Sequence, residues 1–141
     1  MFTSLLVAYD GSELSQRALA KAKELAGESN AKLEVVHVLH HPVVVIGEAV
    51  VSPPRSYEEE YIQHAQSLID QANREIAGLP NAKASLLQGQ PADSVLDYAG
   101  EIGADLIVIG SRGLSGLNEW VLGSVSHHVV QHARIPVLVI K

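Results

Sequence analysis

Short uninterrupted apolar runs alternate along this chain with segments whose apolar residues recur every three or four positions, and that alternation constrains the fold most. The runs are "TSLLVAYD" (3–10), "KLEVVHVLH" (32–40), the weaker "AKASLLQG" (82–89), "DLIVIG" (105–110) and "PVLVIK" (136–141). They read as strands buried on both faces. The first periodic segment follows Asp10-Gly11-Ser12 and carries Leu14, Ala18, Ala22, Leu25 and Ala26. It fades at Gly27 and before the Asn30 turn. A second helix is predicted with Ile62, Ala65, Ile69, Ala72 and Ile76 on one face, the acids Glu58, Glu59 and Glu60 near its start, and Gly78 and Pro80 as stops. Pro91 opens a third, with Ala92, Val95, Leu96, Ala99 and Ile102 inward and Gly103 as terminator. A fourth starts near Ser124 and carries Val125, Val129 and Ala133 before Arg134 and Pro136. Strand–helix alternation without hairpin signals predicts an α/β fold: one open, parallel, five-stranded sheet with helices on both faces and right-handed crossovers.

At 141 residues and 47% hydrophobic, the chain can bury one core, and residues 1–141 are read as a single domain. The formal charge of −6 is spread without a basic block, which argues against nucleic-acid or anionic-membrane affinity; any anion site must be local. The absence of cysteine excludes disulfide and thiolate chemistry and fits a reducing compartment. "MFTSLLVAYDGSE" lacks a basic leader and a cleavage pattern, and no apolar run reaches the length of a membrane span, so a cytoplasmic protein is expected. The segment 42–56, with its valines, Gly47 and Pro53-Pro54, has no sustained period and reads as a long apolar loop that covers a pocket or joins an interface.

In open parallel sheets, ligands sit beyond the carboxyl ends of the strands, where strand order reverses. "GSRGLSGLNEWVLGSVS" (110–126) lies at that edge. Gly110 and Gly113 flank Ser111-Arg112 and are expected to permit positive φ and close approach of amides to an anion. Gly123-Ser124 leads into the fourth helix, whose first N–H groups lack internal partners. Arg112 can add charge, and Ser124 and Ser126 can donate hydroxyl hydrogen bonds to phosphate or help hold a hydrated Mg²⁺. The alternative is that the glycines end a strand, the serines cap a helix and nothing binds.

Gly110-x-x-Gly113, nine residues, then Gly123-Ser124 resembles the phosphate-binding signature of the universal stress protein family, in its ATP-binding branch. "VAYDGSE", "DLIVIGSRGLSGL", "LGSVSHHVVQHARIPVLVIK" and the order of elements extend the likeness over essentially the whole chain. There is no Walker GxxxxGK[ST] sequence. The resemblance implies a Rossmann-like sheet of the adenine nucleotide alpha hydrolase-like kind, ATP (or ADP or AMP) with Mg²⁺ as ligand, and a homodimer. It also implies an adenosine pocket at Ala8 and Asp10, an adenine contact at the backbone of Val38, and ribose and phosphates surrounded by Gly110, Arg112, Gly113, Gly116, Gly123, Ser124, Val125 and Ser126. Asp10 suits ribose hydroxyls or a Mg²⁺-bound water, and capping of the first helix is its structural alternative. Asn118-Glu119-Trp120 departs from the family, in which many members have basic residues between the glycines; a carboxylate facing phosphate would oppose binding, and the favoured alternative is that Glu119 points to solvent from a short helical turn.

His128 and His132 share a helix face and supply two ligands at most, and the chain has no HExxH. His37, His40 and His41 could add others only if the elements met; surface histidines are the simpler expectation. No base stands beside the glycine loop, so ATP hydrolysis is expected to be slow or negligible, with Asp10 serving binding as well as it would serve as base. "PVLVIK" starts at a proline and ends the chain, which predicts an edge strand that pairs with a twofold mate. Three readings follow: a homodimeric, nucleotide-dependent stress regulator; a slow Mg²⁺-dependent ATPase or transferase; and a nucleotide-free interaction protein.

Overall fold

The computed structural model describes residues 1–40, 44–51, 54–112 and 122–141. Its elements in chain order are β1 (Ser4–Ala8), α1 (Glu13–Ser29), β2 (Lys32–Leu39), β3 (Val44–Ile46), β4 (Ala49–Val51), α2 (Arg55–Ile76), β5 (Ala82–Gln88), α3 (Pro91–Ile102), β6 (Leu106–Gly110), α4 (Ser124–His132) and β7 (Val137–Ile140). The main sheet has the order β5-β2-β1-β6-β7, and all four pairings are parallel. Successive strands step outward from β1 through β2 to β5, then from β6 to β7 on the other side. The order therefore reverses between β1 and β6, which opens a crevice at their carboxyl ends.

Side-chain alternation along the strands creates two apolar layers. Leu5, Val7, Leu33, Val35 and Val108 pack with Ala18, Leu19 and Ala22 of α1 and Leu68, Ala72 and Ile76 of α2. Leu6, Val36, Ile107 and Ile109 face the other way, onto Val95 and Ala99 of α3 and Val129 of α4. Full burial of each such Leu, Ile or Val contributes about 1.5–3 kcal/mol of transfer free energy, so the sheet centre carries much of the fold's apolar stabilisation. Within α2 the buried set is Ala65, Leu68, Ile69, Ala72 and Ile76; Ile62, expected inside, is 44% exposed and precedes the first buried residue of the helix.

The expected loop 42–56 contains an antiparallel hairpin instead, with Val44 opposite Val51 and Ile46 opposite Ala49. Gly47 adopts φ 66 at the first central position of a two-residue turn, where a positive φ matches the twist of the flanking strands. Residues 41–43 and 52–53 of that segment lie outside the described residues. Ile46 and Val50 remain 65% and 69% exposed, so the hairpin adds little to the core. Among the described residues, no helix is long and apolar enough to cross a membrane.

Candidate functional site

The carboxyl end of β1 is shaped by the tight turn Asp10-Gly11-Ser12. Gly11 takes φ 81, a conformation that favours glycine, and a Cβ there would push the Leu68 side chain aside. Ser12, not Asp10, caps α1: its hydroxyl accepts from the Ser15 amide at 3.2 Å. Asp10 makes a shorter loop, accepting the Ser12 amide on Oδ1 at 2.9 Å, while its own amide donates to Ser15 Oγ at 3.3 Å. The capping alternative for Asp10 is thereby corrected: the turn holds its carboxylate at the crevice.

At the end of β6, Gly110 does not adopt a positive φ. Its glycine identity has another cause, since a Cβ would lie 2.9 Å from Leu14 Cβ and 3.1 Å from the Leu14 carbonyl carbon. The expectation of conformational freedom at Gly110 is corrected to one of helix–strand packing. The next residue, Ser111, is buried, and its carbonyl is a junction: it accepts the Gly123 amide at 2.7 Å and the Ser126 hydroxyl at 2.8 Å. The same hydroxyl lies 3.0 Å from the Gly123 carbonyl, and Ser126 is only 3% exposed. Ser126 therefore spends its hydroxyl hydrogen inside the protein. Its expected donation to phosphate is corrected, and exposed Ser124 is left as the serine that presents a hydroxyl outward.

Helix α4 starts at Gly123 with no side-chain cap and no acid in its first turn, whereas α1, α2 and α3 begin with Glu13, Glu58 and Asp93. Its first intrahelical bond is His127 N–H to the Gly123 carbonyl at 2.8 Å, so the amides of Ser124, Val125 and Ser126 have no partner within the helix. Such an end carries partial positive charge and favours an anion. A Cβ on Gly123 would meet nothing closer than 3.4 Å, so the protein's own packing does not require glycine there; the missing side chain leaves room in the crevice.

These features surround a cleft of about 190 Å³. Ala8, Asp10, Val38, Gly110, Arg112, Gly123, Ser124, Val125 and Ser126 all line it. Gly113 and Gly116, and with them Asn118, Glu119 and Trp120, lie outside the described residues. Its lining divides between apolar Val36, Val38, Pro91, Val95 and Ile109 and a polar set of Asp10, Arg112 and the start of α4. An apolar planar body with an anionic tail fits this division. Among the described residues, Asp10 is the one carboxylate in its lining.

Sequence reasoning passed over Tyr9, Ser15, Pro91, Val95 and the cleft role of His37. Tyr9 is buried; its hydroxyl donates to Gln71 Oε1 at 3.3 Å. Desolvation by burial, reinforced by the negative charges of Glu75 and Asp10 and opposed by Arg74, pushes that hydroxyl above the usual tyrosine range. His37 Nδ1 stands 2.8 Å from the Tyr9 carbonyl and so ties the ends of β2 and β1 together. Position 37 in a β-branched strand gives no sign of this; the neighbouring strand's register decides it. His128 pairs with Asp93 across 3.1 Å, and its ring centroid is 4.3 Å from that of His132, which joins α4 to the first turn of α3. No group of three or more His, Cys, Asp or Glu side chains able to hold a metal occurs among the described residues.

Comparison with known proteins places this geometry. The family model described as Universal stress protein family matches residues 1–141. The chain is 38% identical over 149 residues to "Universal stress protein YxiE" of Bacillus subtilis (strain 168), with 100% of each sequence covered. It is similar to the solved structure of UspA from Lactobacillus plantarum, at 28% identity and TM-score 0.82 over 99% of this chain and 97% of that one. A similar likeness, 28% identity and TM-score 0.74 over 99% and 98%, is to the universal stress protein from Archaeoglobus fulgidus in complex with dAMP. With its whole length matched and Gly110, Gly123 and Ser124 of the glycine signature lining its β1–β6 crevice, this chain belongs to the universal stress protein family.

Proposed function

We propose that this protein is a homodimeric, adenine-nucleotide-dependent regulator of a stress response rather than a fast enzyme. The observation that carries the reading is the convergence of nine of the expected site residues, from β1, β2, β6, α4 and the turns beside them, on one cleft that joins apolar side chains to an anion-favouring helix start. The Archaeoglobus fulgidus relative, whose structure contains dAMP, supports an adenine nucleotide as the ligand class. In this reading the base lies against Val36, Val38 and Val95, Asp10 takes ribose hydroxyls, and the phosphates meet Arg112, Ser124 and the amides that open α4. ATP, ADP and AMP share every one of these contacts. A Mg²⁺ carried by the phosphates would neutralise their charge, and Asp10 or Ser124 would hold it through water.

Turnover needs a base that orients water at the γ-phosphate. Asp10 is the carboxylate of the described lining, and its Oδ1 is already engaged by the Ser12 amide. The proposal is therefore binding without rapid hydrolysis. The edge position of β7 supports assembly of two chains across that strand.

The test is to denature the purified protein and weigh the small molecules it releases, then titrate the emptied protein with AMP and with Mg²⁺–ATP. Recovery of an adenine nucleotide, a rise in melting temperature at millimolar ligand, and phosphate release no faster than background are expected. Absence of both released and added nucleotide binding would overturn the proposal, and the tighter of the two titrated ligands reveals how far the phosphate site extends.

A further inference from the structure

The alternation of backbone hydrogen bonds across the sheet leads to a role for His37. In a parallel ladder each residue directs both its N–H and its C=O to the same neighbour. The Lys32 amide donates to the Thr3 carbonyl, and the Val36 carbonyl accepts from the Tyr9 amide at 2.8 Å, so even-numbered residues of β2 address β1. Leu33 N–H donates to Asn81, and the Leu39 carbonyl accepts from Gly89, so odd-numbered residues address β5. Val38 therefore directs its amide and carbonyl towards the β1 side, into the cleft that it lines. Ladder geometry makes the Tyr9 carbonyl the next acceptor for the Val38 amide. That carbonyl is taken instead by the His37 imidazole, 2.8 Å away, and β1–β2 pairing ends at Ala8 opposite Val36. A carbonyl oxygen can only accept, so Nδ1 carries the hydrogen.

We infer that His37 is a positioning residue: by capping the Tyr9 carbonyl it stops the β1–β2 ladder one bond early and leaves the Val38 amide and carbonyl open to read a base edge. This rests on the adenine-nucleotide reading above. An adjacent donor and acceptor match the N1 acceptor and the 6-amino donor of adenine. Guanine presents a donor at N1 and an acceptor at O6, so it meets like against like at both positions. The His37 side chain would thus set base selectivity without touching the base.

Two variants test this. In His37→Leu the Tyr9 carbonyl loses its partner and captures the Val38 amide; in His37→Asn the side-chain amide reproduces the Nδ1 donor. Amide hydrogen exchange of the nucleotide-free protein reads the ladder directly. Val38 should exchange rapidly in the wild type and in His37→Asn, and be protected in His37→Leu. AMP affinity should fall about tenfold in His37→Leu with loss of the preference over GMP, and recover in His37→Asn. Protection of the Val38 amide in the nucleotide-free wild type overturns the inference, as does unchanged AMP affinity and selectivity in a folded His37→Leu. If the wild type shows a fast-exchanging Val38 amide but binds neither nucleotide, the functional proposal fails while the ladder geometry stands.

Discussion

The hydroxyl of Ser126 and the carbonyl of Ser111 meet at 2.8 Å, and this bond, with the Gly123 amide on the same oxygen at 2.7 Å, staples the start of α4 to the end of β6. Ser126→Ala removes one of two donors to that oxygen, so the carbonyl stays partnered and the cost is the hydrogen bond alone, about 1 kcal/mol. Thermal melting should show a drop of about 2–4 °C. Ser124→Ala, at an exposed position, should leave the melt unchanged and weaken nucleotide binding; the reverse pattern would show that the two serines have been assigned the wrong roles.

Gly110→Ala and Gly123→Ala separate packing from binding. A Cβ at 110 enters the space of Leu14 at 2.9 Å, and such overpacking costs about 1–3 kcal/mol. A Cβ at 123 meets ordinary contact distances and loses only about 0.5–1 kcal/mol of N-cap preference. Urea unfolding should rank Gly110→Ala as the more damaging, whereas calorimetric titration with AMP should find the larger affinity loss per unit of lost stability in Gly123→Ala. Equal ratios in both assays would contradict the distinction.

Asp105 gives a pH dependence. Desolvation pushes its carboxyl up, but the Thr3 amide at 2.8 Å, the Ser4 amide at 3.0 Å and the Thr3 hydroxyl at 3.0 Å together outweigh it and hold the group below the usual carboxylate range. A lowered folded-state pKa contributes stability that is present above the unfolded value, about 3.9, and is lost as the pH falls through the folded value. Asp105→Asn should lose stability at neutral pH and flatten the acid side of the stability profile below about pH 4. Parallel profiles for variant and wild type would show that the carboxylate is not the acid-sensitive group.

The free edge of β7 allows a selective test of assembly. Ile107 donates to the Pro136 carbonyl and Ser111 to that of Ile140, so even-numbered residues of β7 address β6 and odd-numbered ones address the open side. Val139→Pro therefore deletes an outward donor and should shift sedimentation from dimer to monomer while the fold persists. Leu138→Pro removes an inward donor and should destabilise the monomer itself. A Val139→Pro protein that still sediments as a dimer would place the interface elsewhere.

The parallel sheet and its switch point were legible because "DLIVIG" and "LEVVHVL" are uninterrupted and the glycines and serines fall at strand ends. The hairpin at Val44–Ile46 and Ala49–Val51 was not, because prolines on both sides read as loop punctuation and masked the turn signal of Gly47-Glu48. At Gly110 and Ser126 the residue types pointed to the cleft, but only packing shows that Leu14 fills the space at one and the Ser111 carbonyl takes the hydroxyl of the other. His37 was hardest: its partner comes from a strand 28 positions earlier, and register is not written locally.

The seam between β1 and β6 carries something different at each of its ends. At the amino end, Asp105 latches Thr3 and Ser4 and its own amide donates to the Ser4 carbonyl; at the carboxyl end lie Asp10, Gly110 and the cleft. Acid that protonates Asp105 should loosen the first end. A ligand seated across the second braces the same two strands from the opposite side, so an occupied cleft should let the protein survive acid that unzips the empty form, and the molecule's tolerance of low pH becomes a gauge of whether its cleft is filled.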